Sequence, residues 1–159
     1  MQVKEIMTQD VATVRTDTPV TDVARMFREK AISGMPVVDE EGKVVGIITE
    51  VDLIARHARP HFPTYIAFLD SIIYLESPRR YRDSMRRILA TTAGELMTTP
   101  VRTVGPKMDV QDLAAFMVEE RVNPVPVLDD QGQLLGIVSH TDILHMIEQA
   151  EAPAGNAEA

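Results

Sequence analysis

The sequence has no cysteine and no tryptophan, and its aromatic residues amount to three tyrosines and four phenylalanines. Without cysteine the chain has neither a disulfide framework nor a thiolate that could bind zinc or act as a nucleophile. Positive charge is also in deficit, because 16 Lys and Arg face 24 Asp and Glu and leave a formal net charge of −8. An acidic chain repels the phosphate backbone, which argues against general nucleic-acid binding.

Long hydrophobic runs are missing as well. No stretch approaches the ~18 consecutive apolar residues of a membrane span, and residues 1–7 lack the apolar run of a signal peptide. We therefore expect a soluble protein of the cytoplasm with no membrane partner. Hydrophobic residues still make up 45% of the chain, which is enough to bury a core and argues against wholesale disorder.

Patterns typical of catalysis and of metal binding are absent from the sequence. It shows no Ser/His/Asp triad and no phosphate-loop glycine pattern. His57 and His61 are four residues apart, but Pro60 between them argues against a shared helical face. His140 and His145 have no matching acid at ligand spacing, so we expect surface or capping roles for them. The sequence therefore predicts neither an enzyme nor a metal site.

An internal repeat organises the chain. Met7-Thr8 recurs 90 residues later as Met97-Thr98, and this offset holds without a gap across about 50 positions, of which roughly a third are identical. Further identities at this offset include Val11, Thr13, Val14, Val20, Asp22, Ala24, Pro36, Val37, Asp39, Gly42, Gly46, Ile47 and Asp52 of the first copy.

Each copy predicts the element order β-α-β-β-α. Short β-branched runs indicate strands, Thr18-Pro19 is typical of a helix start, and Gly42 in Asp-Glu-Glu-Gly suits the turn of a hairpin. The predicted strands are 11–14, 35–38 and 44–48 in the first copy and 101–104, 125–128 and 134–138 in the second. The predicted helices follow Thr18-Pro19 and run from Thr49 to about His57 in the first copy, and span 110–120 and 140–149 in the second.

A unit of about 50 residues lies near the lower size limit for independent folding. One sheet face and two amphipathic helices cannot all be covered within such a unit. We therefore expect an α/β (α+β) fold in which the two copies pack through their sheets with pseudo-twofold symmetry. Such packing creates two equivalent clefts, each with walls from both copies.

One motif combines a glycine, a hydroxyl and an acid at the start of each second helix. It reads Gly46-Ile-Ile-Thr49-Glu-Val-Asp52 in the first copy and Gly136-Ile-Val-Ser139-His-Thr-Asp142 in the second. A structural interpretation is a capping box, in which the hydroxyl and the acid stabilise the first helical turn. A functional interpretation is a ribose-phosphate site. Helix N-termini favour phosphate, a hydroxyl can donate to it, a carboxylate can accept from ribose hydroxyls, and the glycine would let a ligand approach the backbone. Both interpretations stay open at this point.

These motifs together resemble the cystathionine-β-synthase-type (CBS) domain family, arranged as a tandem pair or Bateman module. The resemblance rests on Met-Thr with a Val-x-Thr-Val strand, on Pro36-Val-Val-Asp39 with Gly42, and on the Gly-x-x-Thr/Ser-x-x-Asp element, all repeated in order. It covers about two thirds of the chain. We predict CBS repeats at 3–54 and 93–148, a helical insert or linker at 55–92, and a disordered tail at 149–159.

The resemblance implies binding of an adenosine-containing regulatory ligand, such as AMP, ADP, ATP or S-adenosylmethionine, in the clefts. By resemblance, Asp52 and Asp142 would hold ribose hydroxyls, and Thr49 and Ser139 would face the phosphate. The adenine would be lined by residues near Thr13 and Thr103 and by the segments 32–37 and 122–127, which include Ile32, Met35, Pro36, Val122, Val125 and Pro126. The copies differ where Ser33-Gly34-Met35 becomes Asn123-Pro124-Val125. We therefore expect the clefts to differ in affinity, to the extent that one of them can be empty.

The insert holds five of the seven aromatic residues, and its seven arginines outnumber its three acids. Residues 65–75 are apolar nearly all round, which we interpret as a helix buried on several sides. Ser77-Pro78 is typical of a second helix start, followed by an apolar stripe of Tyr81, Met85 and Ile88. The hypotheses for this insert are a helical hairpin packed on the domain or at a dimer contact, and an arginine surface for polyphosphate or an acidic partner.

Two functions of different class follow from the sequence. The first is a stand-alone sensor that binds an adenosine-containing ligand, forms a homodimeric disc of four repeats, and acts on an effector protein that the sequence does not identify. The alternative is a structural or protein-interaction module whose clefts do not bind, with the Thr/Ser-x-x-Asp motif serving only as a helix cap.

Overall fold

The structure is a computed structural model that describes residues 1–58, 65–68, 71–74 and 78–151. The first repeat contains a three-stranded sheet and two helices in the predicted order. Strand β1 is parallel to β2 and β2 is antiparallel to β3, which gives the sheet order β1-β2-β3. The elements are β1 (Val14–Arg15), α1 (Val20–Lys30), β2 (Gly34–Val38), β3 (Val44–Thr49) and α2 (Glu50–His57).

Helix α1 begins one residue later than Thr18-Pro19 predicts. Pro19, in extended conformation with φ −60° and ψ 141°, is the N-cap and the helix starts at Val20. The hydroxyl of Thr18 instead accepts a hydrogen bond from the Arg15 N–H at 3.0 Å. That hydroxyl therefore closes the turn after β1.

The insert differs from the prediction of a buried helix over 65–75. The structure has an antiparallel hairpin of β4 (Tyr65–Phe68) and β5 (Ser71–Tyr74), followed by α3 (Pro78–Leu89). The helix prediction was wrong because a run that is apolar all round has no period that separates helix from strand. Its aromatic and β-branched residues favour strands, and two residues between strands are a hairpin length. The helix start at Pro78 is confirmed, whereas Ser77 and the prolines at 60 and 63 lie outside the described residues.

Helix α3 is amphipathic in the predicted way. Tyr81, Met85 and Ile88 are half-buried, whereas Arg82 and Arg86 are exposed. The helix packs against α2, so the arginine face is turned away from the first repeat.

The second repeat follows a short helix, α4 (Ala93–Leu96). The predicted strand at 101–104 is reduced to a single parallel bridge between Val104 and Val127. Helix α6 extends past the predicted end at 149, so the first residues of the predicted tail are helical and 152–159 lie outside the described residues. The remaining elements are α5 (Val110–Glu120), β6 (Val125–Leu128), β7 (Leu134–Val138) and α6 (His140–Glu151).

Both hairpins within the repeats have the predicted glycine turn. Gly42 and Gly132 adopt φ of 79° and 78°, a region that favours glycine. Asp39 and Asp129 close these turns, since one carboxylate oxygen of each accepts two backbone N–H groups at 2.8–2.9 Å. The agreement of the two turns shows that the 90-residue offset holds in three dimensions.

Each repeat core is completed by the segment that precedes the other repeat. Val3 is fully buried in the core of the second repeat, where its N–H donates to the Met108 carbonyl at 2.9 Å. Ala90, Ala93 and Leu96 are buried in the core of the first repeat. We call residues 1–8 and 90–98 the leading segments.

The leading segments also extend the sheets. Thr8 exchanges two backbone hydrogen bonds with Ile137 of β7, both at 2.9 Å. Thr98 exchanges two with Ile47 of β3, at 2.8 and 3.1 Å. The repeats also meet directly where Gly34 at the start of β2 contacts the ring of Pro124 just before β6. The two repeats thus pack through their sheets with pseudo-twofold symmetry, as predicted.

No helix among the described residues combines the length and the apolar character needed to cross a membrane.

Candidate functional site: two clefts between the repeats

The larger of two clefts between the repeats has a volume of about 560 Å³. The first repeat provides one wall from Thr8 to Ala12 and from Lys30 to Ser33, and the second repeat provides the start of α6. Both repeats therefore line the cleft, as the sequence predicted. Its lining residues are Thr8, Asp10, Val11, Ala12, Lys30, Ala31, Ile32, Ser33, Pro124, Ile137, Ser139, Thr141 and Asp142.

Asp142 occupies the end of this cleft at the start of α6. Its Oδ2 accepts the Ser139 N–H at 2.6 Å and the Ser139 hydroxyl at 2.8 Å. The His140 N–H is bound by the Asn123 side chain at 2.8 Å. The capping interpretation is thus satisfied by one carboxylate oxygen, and Asp142 is half-buried and lines the cleft.

The rest of the larger cleft combines apolar and polar groups in separate places. Val11, Ile32 and Ile137 supply apolar surface, suitable for a flat aromatic ring. Thr141 adds a hydroxyl beside the N-terminus of α6, where backbone N–H groups and the helix dipole favour an anion. Lys30 adds an exposed positive charge at the rim.

The smaller cleft has a volume of about 150 Å³. It is the pseudo-symmetric partner of the larger one, because its lining residues mostly lie 90 residues away from those above. They are Ile47, Thr49, Thr98, Pro100, Arg102, Arg121, Val122, Asn123 and Pro124.

The same hydroxyl and acid geometry recurs beside the smaller cleft. Asp52 Oδ2 accepts the Thr49 N–H at 2.8 Å and the Thr49 hydroxyl at 3.0 Å. Asp52 is only 6% exposed, in contrast to Asp142, and it is not among the lining residues. The cap is common to both repeats, but the exposure of its carboxylate to a cleft is not.

The rims of the two clefts carry different side chains at equivalent positions. Ala12 and Ala31 of the larger cleft are replaced by Arg102 and Arg121 in the smaller one. Arg102 forms an ion pair with Glu120, whose carboxylate lies 3.0 Å from the guanidinium. Two large side chains thus stand where the larger cleft has methyl groups.

The glycine of the motif has a role that differs from the predicted one. A Cβ on Gly136 would lie 2.6 Å from the Met7 sulfur and 2.9 Å from the Thr8 carbonyl oxygen. A Cβ on Gly46 would collide with the Met97 side chain in the same way. Both glycines therefore make room for the methionine of a leading segment, whereas the sequence interpretation assigned that space to a ligand.

The predicted site residues fall into three groups. Ile32, Ser139 and Asp142 line the larger cleft, and Thr49 and Val122 line the smaller one. Three others are near lining residues in the sequence but do not line a cleft themselves: Asp52, Thr13 and Thr103. The structure buries the other four in the repeats: Met35, Pro36, Val125 and Pro126. The ligand contacts of all these residues stay a prediction.

Sequence reasoning missed several lining residues, notably Thr8, Lys30, Thr141, Arg102 and Arg121. For Arg102 and Arg121 a signal was present, because they replace alanine at the 90-residue offset. Among the described residues, no three His, Asp or Glu side chains converge as a metal site.

Comparison with known proteins connects this geometry with a family. The model of the CBS domain matches residues 3–59 and 93–149. The MJ1426 protein of Methanocaldococcus jannaschii is 30% identical over 154 residues, covering 92% of this chain and 91% of that protein. The boundaries 3–54 and 93–148 stay predictions.

Two solved structures are similar over nearly the whole chain. The structure of CBSX2, a protein of Arabidopsis thaliana, in complex with AMP has a TM-score of 0.77 and 25% identity, covering 94% of this chain and 98% of that one. The CBS domain pair of protein MJ0100, in complex with 5′-methylthioadenosine and S-adenosyl-L-methionine, has a TM-score of 0.72 and 25% identity. It covers 95% of this chain and 98% of its own.

Proposed function

Since the chain belongs to the CBS domain family, we propose that it is a regulatory module that binds an adenosine-containing ligand in the larger cleft. The observation that carries the proposal is the combination of an apolar wall, a half-buried carboxylate and a helix N-terminus in one cavity of about 560 Å³. That volume falls within the range of about 300 to 1,000 Å³ typical of small-molecule sites.

Each part of an adenosine ligand has a matching wall in the larger cleft. The adenine packs against Val11, Ile32 and Ile137, which exclude water from its faces. The ribose hydroxyls donate to the Asp142 carboxylate, whose Oδ2 is already held by Ser139. A phosphate or sulfonium substituent extends toward the rim, where Lys30 favours the phosphate by its charge.

The solved relatives support an adenosine ligand and leave its substituent open. CBSX2 was solved with AMP, and MJ0100 with 5′-methylthioadenosine and S-adenosyl-L-methionine. For the present chain we propose AMP, ADP, ATP or S-adenosylmethionine, because the lining carries Lys30, which favours a phosphate, and Asp10, which favours a sulfonium. The ligand contacts both repeats, so it favours arrangements in which the cleft is closed and shifts an equilibrium that an effector protein detects. We assign no catalytic step to the module.

Calorimetric titration with AMP, ADP, ATP, S-adenosylmethionine and adenosine tests this function. At a ligand concentration 100 times the Kd, binding stabilises the fold by about 2.7 kcal/mol, so the melting temperature should rise by several degrees for at least one of them. Absence of heat and of a thermal shift at millimolar ligand would favour the alternative, an interaction module in which Thr/Ser-x-x-Asp acts only as a cap.

A matched pair of variants separates ligand binding from capping. Asp142→Asn keeps the size of the side chain but replaces one carboxylate oxygen by an NH2 group, which cannot accept from ribose hydroxyls, and it removes the negative charge. It should weaken binding by tenfold or more, in line with about 1.5 to 3 kcal/mol for a charged hydrogen bond. Asp52→Asn makes the same change to the other cap and should leave the affinity of the larger cleft unchanged. Equal affinity in both variants would refute the ribose contact.

The exposed apolar residues on the outer helices support a homodimer. Val51 and Ile54 on α2 are 68% and 70% exposed, and Val118 on α5 and Leu144 on α6 are 75% and 64% exposed. These residues occupy related faces of the two repeats, so a second copy can cover both in a disc of four repeats. Light scattering should report a dimer, and Ile54→Asp with Leu144→Asp should shift it to a monomer while the ligand still binds. A monomeric wild type would contradict the disc.

A further inference from the structure

We infer that Arg102, held by Glu120, and Arg121 close the smaller cleft, so that the chain binds one ligand rather than two. This inference rests on the proposed function. Beyond that function, Arg102 and Arg121 determine which of the two equivalent clefts is open.

The volumes of the clefts are the first support. The larger cleft measures about 560 Å³ and the smaller about 150 Å³. Small-molecule sites usually range from about 300 to 1,000 Å³, so a nucleoside fits the first and is too large for the second. Both clefts are built from equivalent segments of the repeats, so the difference must come from side chains or from backbone shifts.

The backbone conformation at the rim positions 31 and 121 is the same in both repeats. Ala31 and Arg121 follow the last turns of α1 and α5, and both adopt left-handed conformation, with φ of 52° and 55°. A shared conformation directs the two Cβ atoms in the same way relative to their clefts. The methyl group of Ala31 therefore leaves a space that the longer side chain of Arg121 enters.

An ion pair holds the second arginine in place. The Arg102 guanidinium lies 3.0 Å from the Glu120 carboxylate, and both side chains are partly exposed, at 59% and 39%. At the larger cleft the equivalent residues are Ala12 and Lys30, which cannot form such a pair. Exposed ion pairs are weak, so we attribute the closure of the smaller cleft to the volume of the two arginines. Glu120 only selects the position of Arg102.

Charge does not favour the larger cleft in the way that size does. The lining of the larger cleft carries Lys30 together with Asp10 and Asp142, whereas that of the smaller cleft carries Arg102 and Arg121. Glu120 offsets the charge of Arg102 but is not a lining residue. Size, and not charge, therefore favours occupancy of the larger cleft.

Isothermal titration with the tightest-binding of AMP, ADP and ATP tests the inference through the number of sites per chain. We expect one site in the wild type, and two in the double variant R102A/R121A, which copies the alanines of the larger cleft. The double variant R82A/R86A removes two exposed arginines of α3 and is the matched control, with one site expected. The reverse variant A12R/A31R should lose at least tenfold in affinity.

Other variants keep the test decisive if R102A/R121A does not fold. In the Asp142→Asn variant the smaller cleft is the only intact one, so we expect no tight site. In a separate variant, Glu120→Lys, the release of Arg102 should add a second, weaker site. Two equal sites in the wild type, or a single site in every arginine variant and in Glu120→Lys, would overturn the inference. A wild type without any site would instead remove the proposed function on which it rests.

Discussion

The two clefts between the repeats have the same motif at their helix starts, yet only one is large enough for a nucleoside. Ser139 and Asp142 at the larger cleft repeat the hydrogen bonds of Thr49 and Asp52 almost atom for atom. What differs is the rim, where alanines in one repeat are arginines in the other. The shared hydrogen bonds indicate that the motif specifies a helix start, and we infer that residues outside it determine whether a cleft is open.

The cap also explains why the motif can persist where a ligand does not fit. Each acid binds the N–H and the hydroxyl of the residue at the helix start, which satisfies a backbone donor that would otherwise lack a partner. Asp52 fulfils this role while 6% exposed. A hydroxyl and acid at this spacing are therefore evidence for the fold first and for binding second.

The largest effect we expect comes from filling the space beside a motif glycine. Gly136→Ala would place a methyl group 2.9 Å from the Thr8 carbonyl oxygen, which is fixed by its hydrogen bond to Ile137. Overpacking of this kind costs about 1 to 3 kcal/mol, which corresponds to a melting temperature several degrees lower for a chain of this size. Because Thr8 lines the larger cleft, ligand affinity should fall as well.

Gly46→Ala makes the equivalent change in the first repeat. Its new methyl group meets the Met97 side chain, which can rotate, so the loss of stability should be smaller and the larger cleft should keep its affinity. Gly105→Ala is the control, because no described atom lies within 4 Å of its Cβ position. Melting curves that rank Gly46→Ala below Gly136→Ala in stability would contradict the assignment.

An intermediate effect should follow from reversing the charge of Lys30 at the rim of the larger cleft. Lys30→Glu gives the larger cleft the acid that Glu120 provides in the smaller one. Exposed charge interactions are worth up to about 1 kcal/mol, so AMP and ATP should bind roughly fivefold more weakly, and adenosine should be unaffected. Added salt should reduce the difference.

Lys43→Glu is the matched control for the rim charge, since it reverses an exposed lysine in the β2–β3 turn. We expect calorimetry to show no change in nucleotide affinity for this variant. An equal loss for both variants would mean that net charge, and not the position of Lys30, is responsible.

The smallest effect concerns the leading segment that enters the smaller cleft. Glu95 in α4 accepts the Thr91 N–H at 2.7 Å, the Thr91 hydroxyl at 3.1 Å and the Thr92 N–H at 3.2 Å. These hydrogen bonds lower the pKa of Glu95, with the Thr91 N–H as the main cause. A lowered pKa means that the stabilisation is fully present above the ordinary glutamate pKa of about 4.3 and is lost as the pH falls through the folded-state pKa.

Glu95→Gln should therefore lower the melting temperature slightly at pH 7, and the difference from the wild type should shrink as the pH falls below about 4.3. Glu5→Gln changes the equivalent residue of the other leading segment, which accepts the Gln2 N–H at 3.0 Å, and should have a smaller effect. Thermal melts across this pH range check both. A constant difference at every pH would contradict the role of the ionised carboxylate.

Much of the fold could be predicted from the repeat. Helix α5 and strands β6 and β7 have the predicted bounds, and α2 and the glycine turns agree closely, because periodicity and turn residues act locally. The hairpin of β4 and β5 was missed because a run of mostly apolar residues has no period that separates helix from strand. The exchange of leading segments was also missed, since a small apolar residue such as Val3 or Ala93 fits either core and the offset does not say which one.

The candidate site was predictable only in part, for a related reason. Identities between the copies drew attention to Thr49, Asp52, Ser139 and Asp142, which are shared because both helices need a cap. The difference between the clefts is encoded where the copies disagree, as at Ala12 and Arg102. Such positions carry no motif, and only the fold shows that they face a cavity.

The exchange of leading segments affects how the chain folds as it is synthesised. Val3 emerges from the ribosome before its partner Met108, which follows more than 100 residues later. Until then the opening residues have no core to join, whereas the first repeat can close once Leu96 has appeared. The core of the second repeat, which needs Val3, therefore closes last. Pairing across such a distance is slow compared with local contacts. A chain released early would leave an apolar stretch without cover, which makes this step the most exposed to aggregation.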